Sequence, residues 1–529
     1  MATVYDDVVV GAGHNGLICA CYLAQAGRRV LVLERRHIVG GAVCTEEIVP
    51  GYRFDVGSSA HIMFRSTPIM AELNLAAHGL EYVEMDPWGF YPLPGTDQSI
   101  SFYRDLEKTC ASIAQVSPRD GEAYRKFIEH FGELNEGIFE TFLKPPSPGT
   151  IFGTIFKRNL FKGRSRKLWS SLDTTRQLMT SYGRLIEETF ESEAVRTALF
   201  WLAAQSGPPP DEIATGDLVG WTAMIHRHGA WRAKGGSGAL TQALARCLQA
   251  LGGEIVTEAP VTGIGAAAGQ GRARFEVRTP VAGYATRNVI AACHVQTTFL
   301  QLLDPALCPP ELRHRVSHLR VGNGFGMIVR HAVSELPRYA GQPVDARGVS
   351  PCHSSLQLLC PSRAYLRSAY LDYLRGTPPA NPAVLAMTFS ALDPTLAPPG
   401  KHVLFTWAQY HPYELSNGEN WDDIAAREAD KIYEAMCAYA PNMRGALIDR
   451  YIQTPLEIER KLALPRANVM HLEMSLDQMF FFRPLPELST YKTHLPGLYL
   501  TGASTHPGGG VFGASGRNAA QVILRDKQK

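Results

Sequence analysis

The chain lacks most of what would mark a secreted, metal-binding or nucleic-acid-binding protein. Its ten cysteines include no C-x-x-C pair, and the closest two, Cys19 and Cys21, share one helical stretch. Neither a disulfide frame nor a zinc site is expected, and the thiols read as reduced core fillers. The 17 histidines are dispersed, with His226 and His228 forming only an H-R-H pair, so no cluster is on offer for iron or another metal. No apolar run is long enough for a transmembrane helix, which needs about 18 residues. The net charge of +2, from 52 basic and 50 acidic residues, is too balanced to attract a polyanion. No RNA- or DNA-binding signature occurs, so no nucleic-acid partner is expected. The first strand begins within the opening handful of residues, without room for a leader peptide, and a cytoplasmic protein is expected.

What is present starts at once. Residues 6–43 read DDVVVGAGHNGLICACYLAQAGRRVLVLERRHIVGGAV. Val8, Val9 and Val10 are β-branched and too few for a helix, so they read as a buried parallel strand. Gly11, Gly13 and Gly16 then form G-x-G-x-x-G. The first glycine allows a tight turn, the second lets a pyrophosphate approach the backbone, and the third lets helix pack on strand. Phosphates are favoured at the N-terminus of the following helix by its free N–H groups and dipole. That helix stops at Gly27, and a second apolar strand ends in Glu34, placed to accept the ribose hydroxyls of an adenosine. Strand, turn, helix, strand and acid all arrive at the right spacing. Gly40 and Gly41, after Glu34, Arg35 and Arg36, resemble the second glycine pair of glutathione-reductase-like FAD enzymes, a feature that distinguishes FAD from NAD.

With 529 residues, 45% of them apolar and 19% charged, the chain has room for two or more domains with full cores. Residues 46–62 read as a strand and a tight loop at Gly57, Ser58 and Ser59 that passes near the cofactor. Short strands broken by Pro87, Pro92, Pro94 and Gly95 follow. From Leu106 the period becomes helical, with a turn signal at Ser117 and Pro118 ahead of Tyr124, Phe127, Ile128, Phe131 and Leu134. Helices are expected to about Ala204, where S-G-P-P-P forbids continuation. Nucleotide-domain character returns over 234–264. The glycines of 263–277 read as a hairpin loop, and those of 321–325 are flanked by strand-like residues, so no second nucleotide fold is expected. Strands near 325–330, 384–390 and 402–409 and a helix from Trp421 belong to a substrate domain. Residues 498–518 combine an apolar strand, a glycine-rich loop and a helix opening, the expected second cofactor contact.

With both ends read, the sequence resembles the phytoene-desaturase-like FAD oxidoreductases over nearly its whole length. The segments that carry this are VVVGAGHNGL, ERRHIVGGAVCTEE, LAAQSGPPPDE, RVGNGFGMI, LDPTLAPPG, NVMHLEMSLDQMFFFRP and LYLTGASTHPGGGVFGASGRNAA. They look most like the bacterial desaturase-like carotenoid 4-ketolases. They look less like the mitochondrial group called pyridine nucleotide-disulfide oxidoreductase domain-containing protein 2. The resemblance implies an α/β chain, with a Rossmann-like FAD-binding domain over 1–80, 234–298 and 465–529. It also implies a discontinuous substrate domain over 81–233 and 299–464, mostly helical over 106–205. Non-covalent FAD is implied at Gly11, Gly13, Gly16, Glu34, Gly41, Val261, Gly502 and Val511. The residues shaping the same turns, Ala12, Asn15, Arg35, Gly40, Ala42, Gly57, Ser58 and Gly510, complete the expected site.

The activity implied is oxidation of a β-ionone ring to a 4-ketone, by hydride loss to flavin, capture of water and a second oxidation. Carotenoid or phytoene desaturation is the alternative, and a flavin-binding role without turnover is the alternative of another class. No catalytic residue is set by the motif. His61 and His506, beside the two glycine loops, read either as a proton acceptor with a pKa near neutrality or as histidines merely hydrogen-bonded to backbone in a glycine loop. Residues 151–169 interleave Ile151, Phe152, Ile155, Phe156, Leu160, Phe161 and Trp169 with Lys157, Arg158, Lys162, Arg164, Arg166 and Lys167. That pattern suits either a solvated helix beside a core or a segment lying on a membrane surface. The apolar carotenoid substrate implied above favours the membrane.

Overall fold

The computed structural model describes residues 4–147, 149, 166–267 and 272–526. β1 (Val4–Val10) lies inside a seven-stranded sheet, where each fully covered valine contributes about 1.5–3 kcal/mol. Gly11, at φ +104°, turns the chain out of the sheet. α1 (His14–Gln25) returns along one face and ends at Gly27, whose φ of +79° is open to glycine at no steric cost. β2 (Val30–Leu33) pairs parallel to β1, with Val9 opposite Val32.

The chain rejoins this sheet much later. α2 (Gly238–Ala250) leads into β3 (Glu254–Val256), parallel to β2. β4 (Gly263–Ala266), β5 (Phe275–Arg278) and β6 (Gly283–Ala291) form an antiparallel meander whose last strand lies parallel to β1. β4 and β5 are thus antiparallel neighbours, as a hairpin requires, and residues 268–271 between them lie outside the described residues. β7 (Leu498–Leu500) pairs with β6, and α3 (Ala514–Arg525) packs on α1. The strand order is β4-β5-β6-β1-β2-β3, with β7 beside β6. Order reverses at β1, with β2 on one side and β6 on the other. The loops leaving their carboxyl ends therefore part, and a crevice opens there. All seven strands fall within 1–80, 234–298 and 465–529.

A second seven-stranded sheet runs Leu447–Gln453, Gly326–Val333, His402–Gln409, Val384–Met387, Leu356–Leu359, Gly89–Pro92 and Ser99–Phe102 in spatial order. Helices from Leu106–Ala114 to Glu193–Ala204 pack beside it. Ser117 caps the long helix Pro118–Phe142 by accepting the Asp120 N–H, and Tyr124, Phe127, Ile128 and Phe131 face inward as their spacing predicts. The strand Gly326–Val333 follows the 321–325 glycines, but a helix, Pro310–Ser317, precedes them. The architecture is α/β, a Rossmann-like nucleotide domain with a separate sheet-and-helix domain. Of the basic segment 151–169, residues 151–165 lie outside the described residues, and a helix, Arg166–Met179, begins at Arg166.

Candidate functional site

The crevice at the end of β1 deepens into a cleft of about 690 Å³ between the two sheets. Of the sixteen expected cofactor residues, every one but Ala12 lines it. Ala12 is fully buried, and its N–H donates to Glu34 Oε2 at 2.9 Å. Glu34 Oε1 accepts the Arg36 N–H at 3.0 Å. The carboxylate is thus held against the turn with lone pairs left over.

The glycines divide by role. A Cβ on Gly16 would lie 2.3 Å from Gly11 O and 2.9 Å from the Ala292 Cβ, so close packing excludes it. Gly13 differs: its φ of −65° suits any residue, and a Cβ there would meet no protein atom within 4 Å. It lines the cleft, so the space it keeps clear belongs to a ligand. Gly40 N–H donates to Ala12 O at 2.8 Å, tying the second glycine pair to the first turn. A dinucleotide fits this cradle, with its ribose at Glu34 and its phosphates at the start of α1.

At the far end, the loop bearing Gly57 and Ser58 is fixed from behind by Asp55. Its carboxylate accepts from Thr45 Oγ1 (2.7 Å), the Ser237 N–H (2.7 Å) and Arg232 (2.9 Å). Arg330 donates to the Asp55 and Val56 carbonyls. Arg232 and Asp55 are both buried, and removing one partner of such a pair costs about 3–5 kcal/mol. Facing this loop is the wall from the second sheet, with Ile328 directly across from Trp407 on neighbouring strands, joined by Leu464, Val469 and Met470. The uncharged amide of Gln205, just past helix Glu193–Ala204, completes it, and its Nε2 has no hydrogen-bond partner. A smaller pocket of about 190 Å³ begins at Ser206 and shares Met470 with the cleft. Phe325, Tyr370, Tyr373 and Tyr410 line it.

Neither histidine expected to serve as proton acceptor reaches the cleft lining. His61 is buried between Tyr82 OH (2.8 Å from Nδ1) and Ser237 Oγ (2.7 Å from Nε2). His506 is also buried and donates from Nε2 to Thr141 O at 3.2 Å. Burial pushes them down to about 3 and about 4, so the expectation of a pKa near neutrality fails for both. The histidines that do line the cleft are His14, His294 and His471. Burial lowers His14 and His294 to about 4 and holds His471 well below its ordinary value. The His294 Nε2–H donates to His471 O at 2.9 Å. All three are neutral at pH 7. Among the described residues no group of three or more His, Cys, Asp or Glu is placed to hold a metal ion, and no helix is long and apolar enough to cross a membrane.

Residues 16–333, more than half the chain, match the family described as flavin containing amine oxidoreductase. The chain belongs to this family. It is a FAD-dependent oxidoreductase, and its FAD is held non-covalently. Relatives cover it nearly end to end. Pyridine nucleotide-disulfide oxidoreductase domain-containing protein 2 of Mus musculus is 34% identical over 99% of this chain and 94% of its own length. One of the limonene dehydrogenase polypeptides of Castellaniella defragrans is 29% identical over 98% and 94%. The lycopene-forming phytoene desaturase of Pantoea ananas is 27% identical over 98% and 99%. Within this flavin family, sequence reasoning picks out residues that line one wall of the cleft and misses those of the opposite wall. Gln205 lies in the segment LAAQSGPPPDE, but nothing in its local spacing marks it.

Proposed function

We propose that this oxidoreductase dehydrogenates a long apolar isoprenoid, a carotenoid-type polyene, introducing a double bond. The observation that carries the reading is the substrate wall. Ile328, Trp407, Leu464, Val469 and Met470 offer apolar surface, and Gln205 adds an uncharged amide. An amine would enter as a cation and ask for a carboxylate. Of the two cleft carboxylates, Glu34 is bonded to the β1 turn and Glu459 accepts the Arg466 N–H. FAD, when bound, supplies a two-electron, hydride-accepting ring. The chain's part is to orient the polyene and exclude water, which an apolar wall does by shape. The two relatives named for reactions on isoprenoids, limonene and phytoene, are a dehydrogenase and a desaturase, and this favours hydrogen removal over the 4-keto reaction.

The test is anaerobic mixing of holoenzyme with phytoene or β-carotene in liposomes, followed by flavin absorbance and chromatography. Phytoene should bleach the flavin and gain conjugated double bonds. A 4-keto product from β-carotene would restore the ketolase reading, and absence of bleaching with every polyene would leave a flavin-binding role without turnover.

Such a substrate resides in membranes, and we extend the proposal to a peripheral contact. Support comes from exposed apolar side chains around the aromatic pocket. Leu371 and Leu374 (51% and 60% exposed) flank Tyr370 and Tyr373, and Ile213 (74%) follows Glu212 of the same lining. Arg367 and Asp211 join the two elements by an ion pair at 3.0 Å. Holoenzyme should float with anionic liposomes, and a variant carrying Ile213→Asp, Leu371→Asp and Leu374→Asp should float several-fold less while keeping its flavin. Equal flotation of the two would defeat this contact.

A further inference from the structure

Three arginines among the described residues are almost wholly buried, Arg232, Arg330 and Arg483. Arg232 pairs with Asp55, and Arg330 lies beside the same carboxylate. Arg483 has no carboxylate within ion-pair distance among the described residues. Its guanidinium donates only to main-chain carbonyls: Ala503 O (3.0 Å from Nε, 2.8 Å from one terminal nitrogen), Met470 O (2.6 Å), Gln478 O (3.0 Å) and, more weakly, Leu472 O and Glu473 O (3.4 Å each). Met470 and Ala503 both line the flavin cleft, so the guanidinium stands directly behind the cleft wall.

The groups around it leave that charge standing. His294, His471 and His506 face it from three segments. All are neutral, pushed down first by burial and further by the Arg483 cation itself. Glu473 turns its carboxylate to Arg320 at 3.4 Å, and Asp477 does the same at 2.8 Å. Burial draws the Arg483 guanidinium down to about 9, which leaves it a cation at neutral pH. A buried charge without a counter-charge is costly, and carbonyl dipoles only partly offset it. The molecule that fills the cleft can supply the missing charge. A hydride brings one proton and two electrons to the neutral oxidised flavin ring, which then bears one negative charge unless a second proton follows. The neutral histidines on the lining are poor sources of that proton.

We propose that Arg483 is the fixed counter-charge for the reduced flavin, a positioning residue that holds the reduced cofactor as its anion and strengthens its pull on substrate electrons. The proposal rests on FAD binding in this cleft and not on the identity of the substrate.

The test is reductive titration of holoenzyme against two-electron reference dyes at a series of pH values. Wild-type flavin should take up one proton per two electrons well below neutrality, where a flavin in water takes up two. In Arg483→Met the equilibrium with the dye should move at least tenfold toward oxidised flavin, about 30 mV for a two-electron couple, and Arg483→Lys should recover most of the difference. If Arg483 only ties the loops together, or serves the pyrophosphate, the Met variant binds FAD more weakly or melts earlier while its bound flavin keeps the wild-type potential. That result overturns the proposal. Should the Met variant fail to fold, the wild-type proton count decides, and two protons per two electrons overturns it.

Discussion

Gly13→Val should yield a folded, colourless protein. The backbone at Gly13 already sits at φ −65°, ψ 164°, where valine is comfortable, and an added Cβ meets no protein atom within 4 Å. The fold therefore has no reason to suffer, and the apo-protein melt should match that of wild-type apo-protein within about 0.5 kcal/mol. The valine methyls instead occupy cleft space through which the pyrophosphate must approach the turn. FAD affinity should fall at least about a thousandfold, roughly 4 kcal/mol. Flavin released by acid from the purified proteins and equilibrium rebinding to the apo forms measure it. Gly16→Ala is the contrasting case, because its Cβ would stand 2.3 Å from Gly11 O. It should lose folded protein along with flavin. A flavin-loaded Gly13→Val would refute the placement of the phosphates at this turn.

The first forty residues are legible because each feature there is local. A strand, a turn that needs glycine, a helix stop and a terminal acid all lie within reach of one another along the chain. The hairpin of β4 and β5 and the capped start at Ser117 are readable for the same reason. The opposite wall of the cleft is not, since Ile328 and Trp407 meet only through antiparallel register between strands almost eighty residues apart. Gln205 and Met470 come from still more distant loops. The strand Leu447–Gln453 also escapes a reading by pattern. It lies at the edge of its sheet, and its first three residues are exposed, so it shows no clean apolar alternation. The histidines teach a different lesson. His61 and His506 draw notice by standing next to glycine loops, but a side chain within a few residues of a cleft-lining turn can point into the core. Its pKa then follows burial and not sequence neighbourhood.

That burial leads to a steep acid limit on stability. Seven histidines are held neutral inside the fold: His61, His331 and His411 at about 3, His14, His294 and His506 at about 4, and His471 well below its ordinary value. In the unfolded chain each titrates near 6.5. With the folded pKa depressed, the unfolded state binds more protons below about pH 6.5, so stability rises with pH up to that point and is level above it. Each such histidine removes up to about 1.4 kcal/mol per pH unit on acidification. Asp217 opposes the trend, because burial raises it to about 6 and the folded state takes up that one proton first. It offsets one histidine of the seven. Urea unfolding of apo-protein should therefore show little change from pH 8 to about 7 and a sharp loss between about 6.5 and 5. The variant His331→Gln isolates the cause. His331 lies on the second sheet, bonded from Nε2 to Thr406 Oγ1 at 3.0 Å, and glutamine can keep that bond without titrating. The slope of stability against pH should drop by about one proton in this variant, and an unchanged slope would show that His331 does not contribute to the acid limit.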